Sequence, residues 1–399
     1  MSSGLLVVNA GSSSVKLAGY EIAEGMTRLP KPLMTVQAES RDRQLFVEAC
    51  ADGRMVFSVR IGGQTDTLDL VGEGLNALLG LAEERWPGLR WTTAGHRIVH
   101  GGPQYRAPVL LDPQVVKDLA QWIALAPLHQ RANLHAVDVV AARCRDVRQV
   151  GCFDTAFHAD LPAVETRFAL PRAWHRAGVR RYGFHGLAYE SVVLQLAEMR
   201  DDERVLLAHL GSGASLCALH GGRSVATSMG FTALDGLMMG TRCGSVDPGA
   251  VLHLLRQPGM DVDSVERLLT RDSGLRGVSG LSADMRELLD SSEPAAAEAI
   301  ELFCHRAVRE AGGLIALMGG IDRVVFSGGI GEHAAAVRSR ICGQLGWLGL
   351  ALAHSENLRD ARVISTPASR VTVNVIPADE QALIAAHTAL LTGMLTAEK

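Results

Sequence analysis

The segment Leu5-Leu-Val-Val-Asn9-Ala-Gly11-Ser12-Ser13-Ser14-Val15-Lys16-Leu17 reads as an apolar strand, a tight Gly/Ser turn and a second apolar strand. A related segment, Leu206-Leu-Ala-His209-Leu-Gly211-Ser212-Gly213-Ala-Ser215-Leu-Cys217-Ala-Leu, stands in the second half of the chain. Turns of Gly and Ser present backbone N–H groups and hydroxyls with few side chains in the way, which suits phosphate oxygens. Either segment alone is equally an ordinary β-hairpin. One in each half predicts two related lobes gripping a polyphosphate, and with them a phosphoryl-transfer enzyme. The chain contains no G-x-x-x-x-G-K-[ST], so the turn is not a Walker A loop.

Bulk properties set the class. A chain of 399 residues is long enough for roughly two to three domains. Hydrophobic residues at 47% and charged residues at 21% are ordinary for a folded enzyme and argue against disorder. A formal net charge of -4 gives no electrostatic reason to expect nucleic acid or an anionic membrane as partner. The seven cysteines form no C-x-x-C pair and are odd in number, which predicts a reduced, cytoplasmic setting. No basic segment precedes the apolar run at Leu5, so no secretory signal is expected. No stretch reaches the roughly 18 apolar residues of a membrane span.

Strands and helices alternate through both halves, as in α/β lobes with mixed sheets. The first half reads as the opening hairpin, a polar stretch over about 21–67, a helix over 69–84, a strand over 92–100, helices over 113–126 and 132–145, and a strand over 147–153. The second half reads as the second hairpin, helices over 249–255, 262–270, 283–289 and 293–318, a strand over 322–327, a glycine turn at 328–331, a helix over 332–345, a strand over 371–377 and a closing helix over 379–395. The expected domains are 1–155 and 156–379, with the closing helix of about 380–399 free to pack back on the first.

Several constellations carry chemistry, each beside a plainer reading. Asn9 could hold a metal or phosphate, Ser12 and Ser14 could touch phosphate oxygens, and Lys16 could neutralise charge. Arg97, in His96-Arg97-Ile-Val-His100-Gly-Gly, and Arg242, in Gly240-Thr241-Arg242-Cys243-Gly244, stand beside glycines. Guanidinium forks match phosphoryl oxygens and keep their charge, although such arginines are commonly surface ion-pair partners. His129, His158 and His185 recur among Gly, Pro and aromatic residues, where a donor to a phosphoryl group and a structural histidine are both open readings. Asp154, directly after a strand, and Glu380, in Ala378-Asp379-Glu380, could serve Mg²⁺. Asp379 and Glu380 also fit the N-cap and first turn of a helix. Gly329-Ile330-Gly331-x-x-Ala334 follows a strand and fits a dinucleotide fingerprint, or equally glycines packed against an adenine or ribose.

Taken together, Asn9–Lys16, Gly95-His-Arg-Ile-Val-His-Gly-Gly102, Ala126-Pro-Leu-His129, Phe153-Asp-Thr-Ala-Phe-His158 and Arg180-Arg-Tyr-Gly-Phe-His-Gly186 resemble the acetokinase family, the acetate, propionate and butyrate kinases of the actin/Hsp70/sugar-kinase superfamily. His209-Leu-Gly211, Thr227-Ser-Met-Gly-Phe-Thr232, Gly236-Leu-Met-Met-Gly-Thr-Arg242, Asp284-Met-Arg286 and Phe326-Ser-Gly-Gly-Ile-Gly-Glu332 continue the match to near residue 386. The resemblance implies two duplicated actin/ribonuclease H-like lobes, mixed sheets flanked by helices with a cleft between them, and a homodimer formed through the second lobe.

It implies reversible transfer of the ATP γ-phosphoryl group to acetate, giving acetyl phosphate and ADP, with Mg²⁺ or Mn²⁺. Propionate or another short carboxylate is the alternative acceptor. Arg97 and Arg242 would grip carboxylate and phosphoryl group, His185 would stabilise the transition state with His129 near it, and Asp154 would be the essential acid. Asn9, Ser12, Ser14, Lys16, Ser212 and Gly213 would belong to the phosphate motifs. Asn9 and Glu380 would help to hold the metal. His209, Gly211, Asp284, Met285, Arg286, Gly329, Ile330 and Gly331 would line the nucleotide site, and Val99, Leu128, Phe184 and Ala233 the acyl pocket.

The chain departs from the family pattern at Gln130-Arg131 (usually Asn-Pro), Ser212 (Asn), Ala226 (Asp), Leu187-Ala-Tyr189 (Thr-Ser-His) and Ala233 (Pro). A sugar or polyol kinase, a nucleotide-gated binding protein and, on the late glycines alone, an NAD-dependent dehydrogenase are the competing readings.

Overall fold

A computed structural model describes residues 3–11, 14–41, 44–61, 67–196 and 199–396, with backbone only at 40, 41, 61, 67–69 and 128. Ser12 lies outside the described residues. The chain divides into two compact units, Met1–Ala156 with Asp379–Lys399, and Phe157–Ala378.

The first unit is built on an eight-stranded sheet of β1 (Ser3–Ala10), β2 (Ser14–Ile22), β3 (Met34–Arg41), β4 (Gln44–Ala51), β5 (Arg54–Ile61), β6 (Arg90–Ile98), β7 (Val109–Leu110) and β8 (Arg148–Phe153), in the order β5-β4-β3-β2-β1-β6-β8-β7. Strand β1 runs antiparallel to β2 and parallel to β6, and β6 is parallel to β8. Leu5, Leu6, Val7 and Val8 of β1 are all buried, because both faces of this strand are covered. Leu6 and Val8 join a core with Leu70, Leu75 and Leu78 of the helix Thr67–Arg85 and Ala136 and Val140 of the helix Pro127–Arg143. The opposite face carries the closing helix Glu380–Leu391, pressed so closely on β6 that a Cβ at Gly95 would lie 2.2 Å from Thr388 Oγ1.

The second unit holds a five-stranded sheet of β9 (Arg204–Leu210), β10 (Ala214–His220), β11 (Arg223–Thr227), β12 (Arg323–Ser327) and β13 (Thr372–Val375), ordered β11-β10-β9-β12-β13. Antiparallel β9–β10 and β10–β11 pairs and parallel β9–β12 and β12–β13 pairs reproduce the relations of β3-β2-β1-β6-β8. The repeat read from the two hairpins therefore extends to five strands of each unit.

Two sequence expectations need correction. The polar stretch over 21–67 contains β3, β4 and β5. In β4 the apolar residues Leu45, Val47, Ala49 and Ala51 alternate with half-buried positions, so its mean composition conceals a period of two. The glycine turn at 328–331 is instead the start of a helix, Gly328–His333, and a break at Ala334 separates it from the helix Ala335–Gln344. Gly328 sits at φ 75°, where a Cβ would meet Leu210 O at 2.7 Å, so only glycine lets β12 turn into this helix beside β9.

Arg338 holds that break. It is fully buried, and its Nε, Nη1 and Nη2 donate to Asn357 Oδ1, the carbonyls of Gly331, Glu332 and Asn357, and Asp360 Oδ1. All five guanidinium protons are thereby used. Arg338→Met leaves these acceptors without their donor and is expected to lower unfolding stability by about 3–5 kcal/mol, read by urea denaturation.

Burial pushes His100 and His158 down to about 4. The unfolded chain then binds more protons than the folded one between pH 4 and 6.5, so stability is complete above 6.5 and is lost as pH falls towards 4. Each contributes up to about 3 kcal/mol. Melting curves across this window should show the slope, and His158→Gln should remove part of it.

Candidate active site

In the first unit, β1, β6 and β8 lie side by side and parallel, so their carboxyl ends open at one edge of the sheet. Asn9 is near the end of β1, Arg97 near the end of β6, and Asp154 directly after β8. Arg97 donates three hydrogen bonds to Asp154, from Nε to both carboxylate oxygens at 3.1 Å and from Nη2 to Oδ2 at 2.7 Å. Its Nη1 donates to Asn9 Oδ1 at 3.3 Å and stands 3.8 Å from Glu380 Oε2. Asn9 Nδ2 donates to the same Glu380 oxygen at 2.8 Å. The sequence-derived Asn9, Arg97, Asp154 and Glu380 thus form one cluster.

Asp154 is fully buried. Burial pushes its carboxyl up, the Arg97 guanidinium opposes that, and Glu380 adds to it. Burial works against the Arg97 charge, but the Asp154 and Glu380 carboxylates outweigh it and raise that pKa. Arg97 is consequently a fixed cation aimed by Asp154. Asp379 accepts from Ala382 N as the N-cap of the closing helix, which leaves Glu380, in its first turn, to face Asn9 and Arg97. Lys16 is paired across the hairpin with Asn9, so both project to the same face. Ser14 begins β2, and its carbonyl closes the turn by accepting from Gly11 N at 2.8 Å.

The loop after β6 is fixed by residues that spacing alone did not disclose. Asn133 accepts from Val99 N at 2.9 Å and donates to Ala10 O at 2.7 Å, tying the ends of β1 and β6 together. Gln130, one of the departures from the family pattern, accepts from His100 N and donates to the carbonyls of His100 and Leu119. His129 stands half-buried in the first turn of the same helix, one turn before Asn133. Val99 is buried; the side chain of Leu128 lies outside the described residues.

In the second unit the Gly211–Gly213 turn is the focus. A Cβ at Gly213 would lie 2.6 Å from Arg242 Nη2 and 3.1 Å from His185 Nε2, so this glycine admits both groups to the turn. Arg242 Nη1 donates to Ala233 O at 2.6 Å. Gly240 N donates to Ser212 O at 3.1 Å, and Gly240 also packs by Ala283, the residue before Asp284. A Cβ at Gly211 would stand 3.8 Å from Gly329 N. His185 lies 4.8 Å from His209, ring centre to ring centre. His185 caps the helix Gly186–Val193 with left-handed backbone, φ 61°, a conformation a non-glycine residue holds only when its surroundings enforce it. The preceding Phe184 is buried, and its carbonyl is held by His158 Nε2 at 3.0 Å.

Gly329, Ile330 and Gly331 form the exposed-to-buried first turn of the helix Gly328–His333 beside this turn. Met285 is buried, whereas Arg286 is exposed and folds onto Asp284, which caps the helix Met285–Asp290. The Arg286 hydrogen bond holds the Asp284 carboxyl below its usual range. Backbone N–H groups, a guanidinium and an imidazole around a glycine turn can bind polyphosphate and stabilise charge on a phosphoryl group.

The acetokinase family pattern matches residues 4–386. An acetate kinase of Rhodopseudomonas palustris (strain TIE-1) is 47% identical over 393 residues, spanning 97% of this chain and 98% of the relative. The structure of a propionate kinase from Francisella tularensis subsp. tularensis SCHU S4 is similar at a TM-score of 0.85 and 32% identity, covering 97% of this chain and 99% of that one. Porphyromonas gingivalis acetate kinase is similar at 0.83 and 33%, covering 98% and 100%. With its duplicated sheet topology, its Arg97 and Gly213 clusters and full-length similarity to these enzymes, the chain belongs to the acetokinase family.

Proposed function

We propose that the protein is an acetate kinase, transferring the ATP γ-phosphoryl group reversibly to acetate. One carboxylate oxygen forms a bond to the γ-phosphorus as the bond to the β,γ-bridging oxygen breaks, giving acetyl phosphate and ADP. Acetate is already ionised at neutral pH, since carboxylic acids titrate near ~4, so no strong base is needed. The obstacle is repulsion between two anions, and positioned cations answer it. Arg97 takes the acceptor carboxylate beside the apolar Val99. Arg242 and His185 stabilise the transferring group. His209, Gly211–Gly213, Asp284–Arg286 and Gly329–Gly331 hold the nucleotide, and within the first unit Asn9, Ser12, Ser14 and Lys16 make up a phosphate motif. The observation that carries this reading is the Arg97 cation, fixed by Asp154 at the carboxyl ends of parallel strands.

The oxygen donors of Asn9 and Glu380 suit a hard divalent cation that takes its remaining ligands from phosphates and water. Among the described residues no group of three or more His, Cys, Asp or Glu is gathered to hold a metal by itself, which is in keeping with a cation that arrives with nucleotide. Mg²⁺ or Mn²⁺ bound there would neutralise polyphosphate charge. A homodimer and a cytoplasmic location complete the reading. None of the seven cysteines is in a disulfide, and no helix among the described residues is long and apolar enough to cross a membrane.

Propionate is the second reading, since Ala233 replaces the larger proline of the family pattern and the Francisella tularensis relative is named a propionate kinase. Acyl phosphate trapped with hydroxylamine should give the highest kcat/KM for acetate among formate, acetate, propionate and butyrate, with no phosphorylation of glycerol or hexoses. A maximum at propionate would move the assignment to that acid. Arg97→Ala and Arg242→Ala should each lower kcat by about 10²–10³ in the same assay. Near-normal turnover in either would overturn the two-arginine scheme. Chelation of divalent cations should abolish turnover, and Mg²⁺ should restore it.

A further inference from the structure

We propose that Tyr189 fixes the tautomer of His185 through Ser215, so that His185 carries its proton on Nε2. The proposal rests on the reading of His185 as donor to the transferring phosphoryl group. Tyr189 and Ser215 are fully buried. Tyr189 is one helical turn beyond His185, and its backbone N–H donates to His185 O at 3.0 Å. Ser215, on β10, has its hydroxyl oxygen in contact with two groups, the Tyr189 hydroxyl and His185 Nδ1, the latter at 2.8 Å.

Proton counting sets the direction. Among the described residues the Tyr189 hydroxyl makes its hydrogen bond to Ser215 alone. If His185 donated from Nδ1, Ser215 would either turn its own proton to the Tyr189 oxygen, leaving the phenol proton without an acceptor, or accept from both and leave its own proton without one; either way one buried hydroxyl proton bears the full cost of its desolvation. If Tyr189 donates to Ser215 and Ser215 donates to His185 Nδ1, every proton in the chain has a partner. Nδ1 is then an acceptor, and the imidazole proton resides on Nε2, which faces the Gly213 turn and Arg242. The same count opposes a doubly protonated ring, whose Nδ1–H would likewise leave one buried hydroxyl proton without an acceptor. Burial raises the Tyr189 hydroxyl well above its ordinary value, so it remains a donor across the working range.

Other titratable and charged groups face this chain. The His209 ring and the Arg242 guanidinium lie by His185, while His158, His209 and Cys217 surround Tyr189. The family pattern places a histidine at position 189, and a histidine can donate, accept or titrate. A tyrosine there, whose proton finds only Ser215 as acceptor among the described residues, holds one sense of the chain, which makes this device a property of this sequence.

Nitrogen-15 NMR of histidine-labelled enzyme, with His185 identified by its loss in His185→Gln, reads the tautomer directly. The expected result is Nε2–H for His185 from about pH 6 to 8. Tyr189→Phe should admit Nδ1–H or the doubly protonated ring in that range and lower kcat roughly tenfold, with KM for ATP little changed. Ser215→Ala should match Tyr189→Phe, and the double variant should be no worse than either, because the two act as one chain. A wild-type ring protonated on Nδ1, a Tyr189→Phe enzyme with unaltered tautomer, or additive losses would overturn the proposal. The wild-type spectrum decides the matter even if the variants fold poorly. An enzyme with the expected spectrum that makes no acyl phosphate would instead overturn the assigned activity.

Discussion

The Arg97–Asp154 pair is the interaction on which the strand-end cluster of the first unit depends. A guanidinium cannot shed its charge, so its position within the protein has to be made tolerable by neighbours. Asp154 supplies the opposite charge and a matching fork, Asn9 a further acceptor, and Glu380 a second carboxylate. The result is a cation whose direction is set before substrate arrives. Preorganised charge of this kind needs no rearrangement as the transition state forms, which is where an enzyme joining two anions gains most.

The two units reach related ends by related means. In each, an antiparallel hairpin and two parallel strands bring a turn of small residues to one edge, and a cation is held beside strand ends or turn. The supports differ. Arg97 is held by side chains from three separate segments. Arg242 is tied to the carbonyl of Ala233 within its own loop, and His185 depends on a strained backbone and the Ser215 contact.

Much of this was legible in the sequence because hairpins, strand ends and glycine turns leave local signatures. Asn9, Arg97, Asp154 and Glu380 were each marked by their place at a strand end or helix start. Arg242 and His185 were marked by adjoining glycines. What remained hidden depends on contacts distant in sequence. Gln130 and Asn133 act through side-chain bonds to residues 11 to 123 positions away, which no periodicity reports. Arg338 looks like any helix-surface arginine until the loop that carries Asn357 and Asp360 is folded over it. Strands β3 and β4 escaped for a different reason: the residues between their buried ones are polar enough to mask the inward alternation.

The closing helix has a consequence for biosynthesis. Its apolar side covers one face of β1 and β6, and its first turn delivers Glu380 to a cluster begun by Asn9. On the ribosome the entire 157–378 unit must be translated between those two contributions. Until then the first sheet is a nascent platform with one side bare, and a chain stalled anywhere in the intervening stretch lacks a carboxylate of the cluster. Vectorial synthesis therefore withholds the completed Asn9–Arg97–Asp154–Glu380 cluster from every truncated product, and leaves a bare apolar face of the kind that chaperones engage.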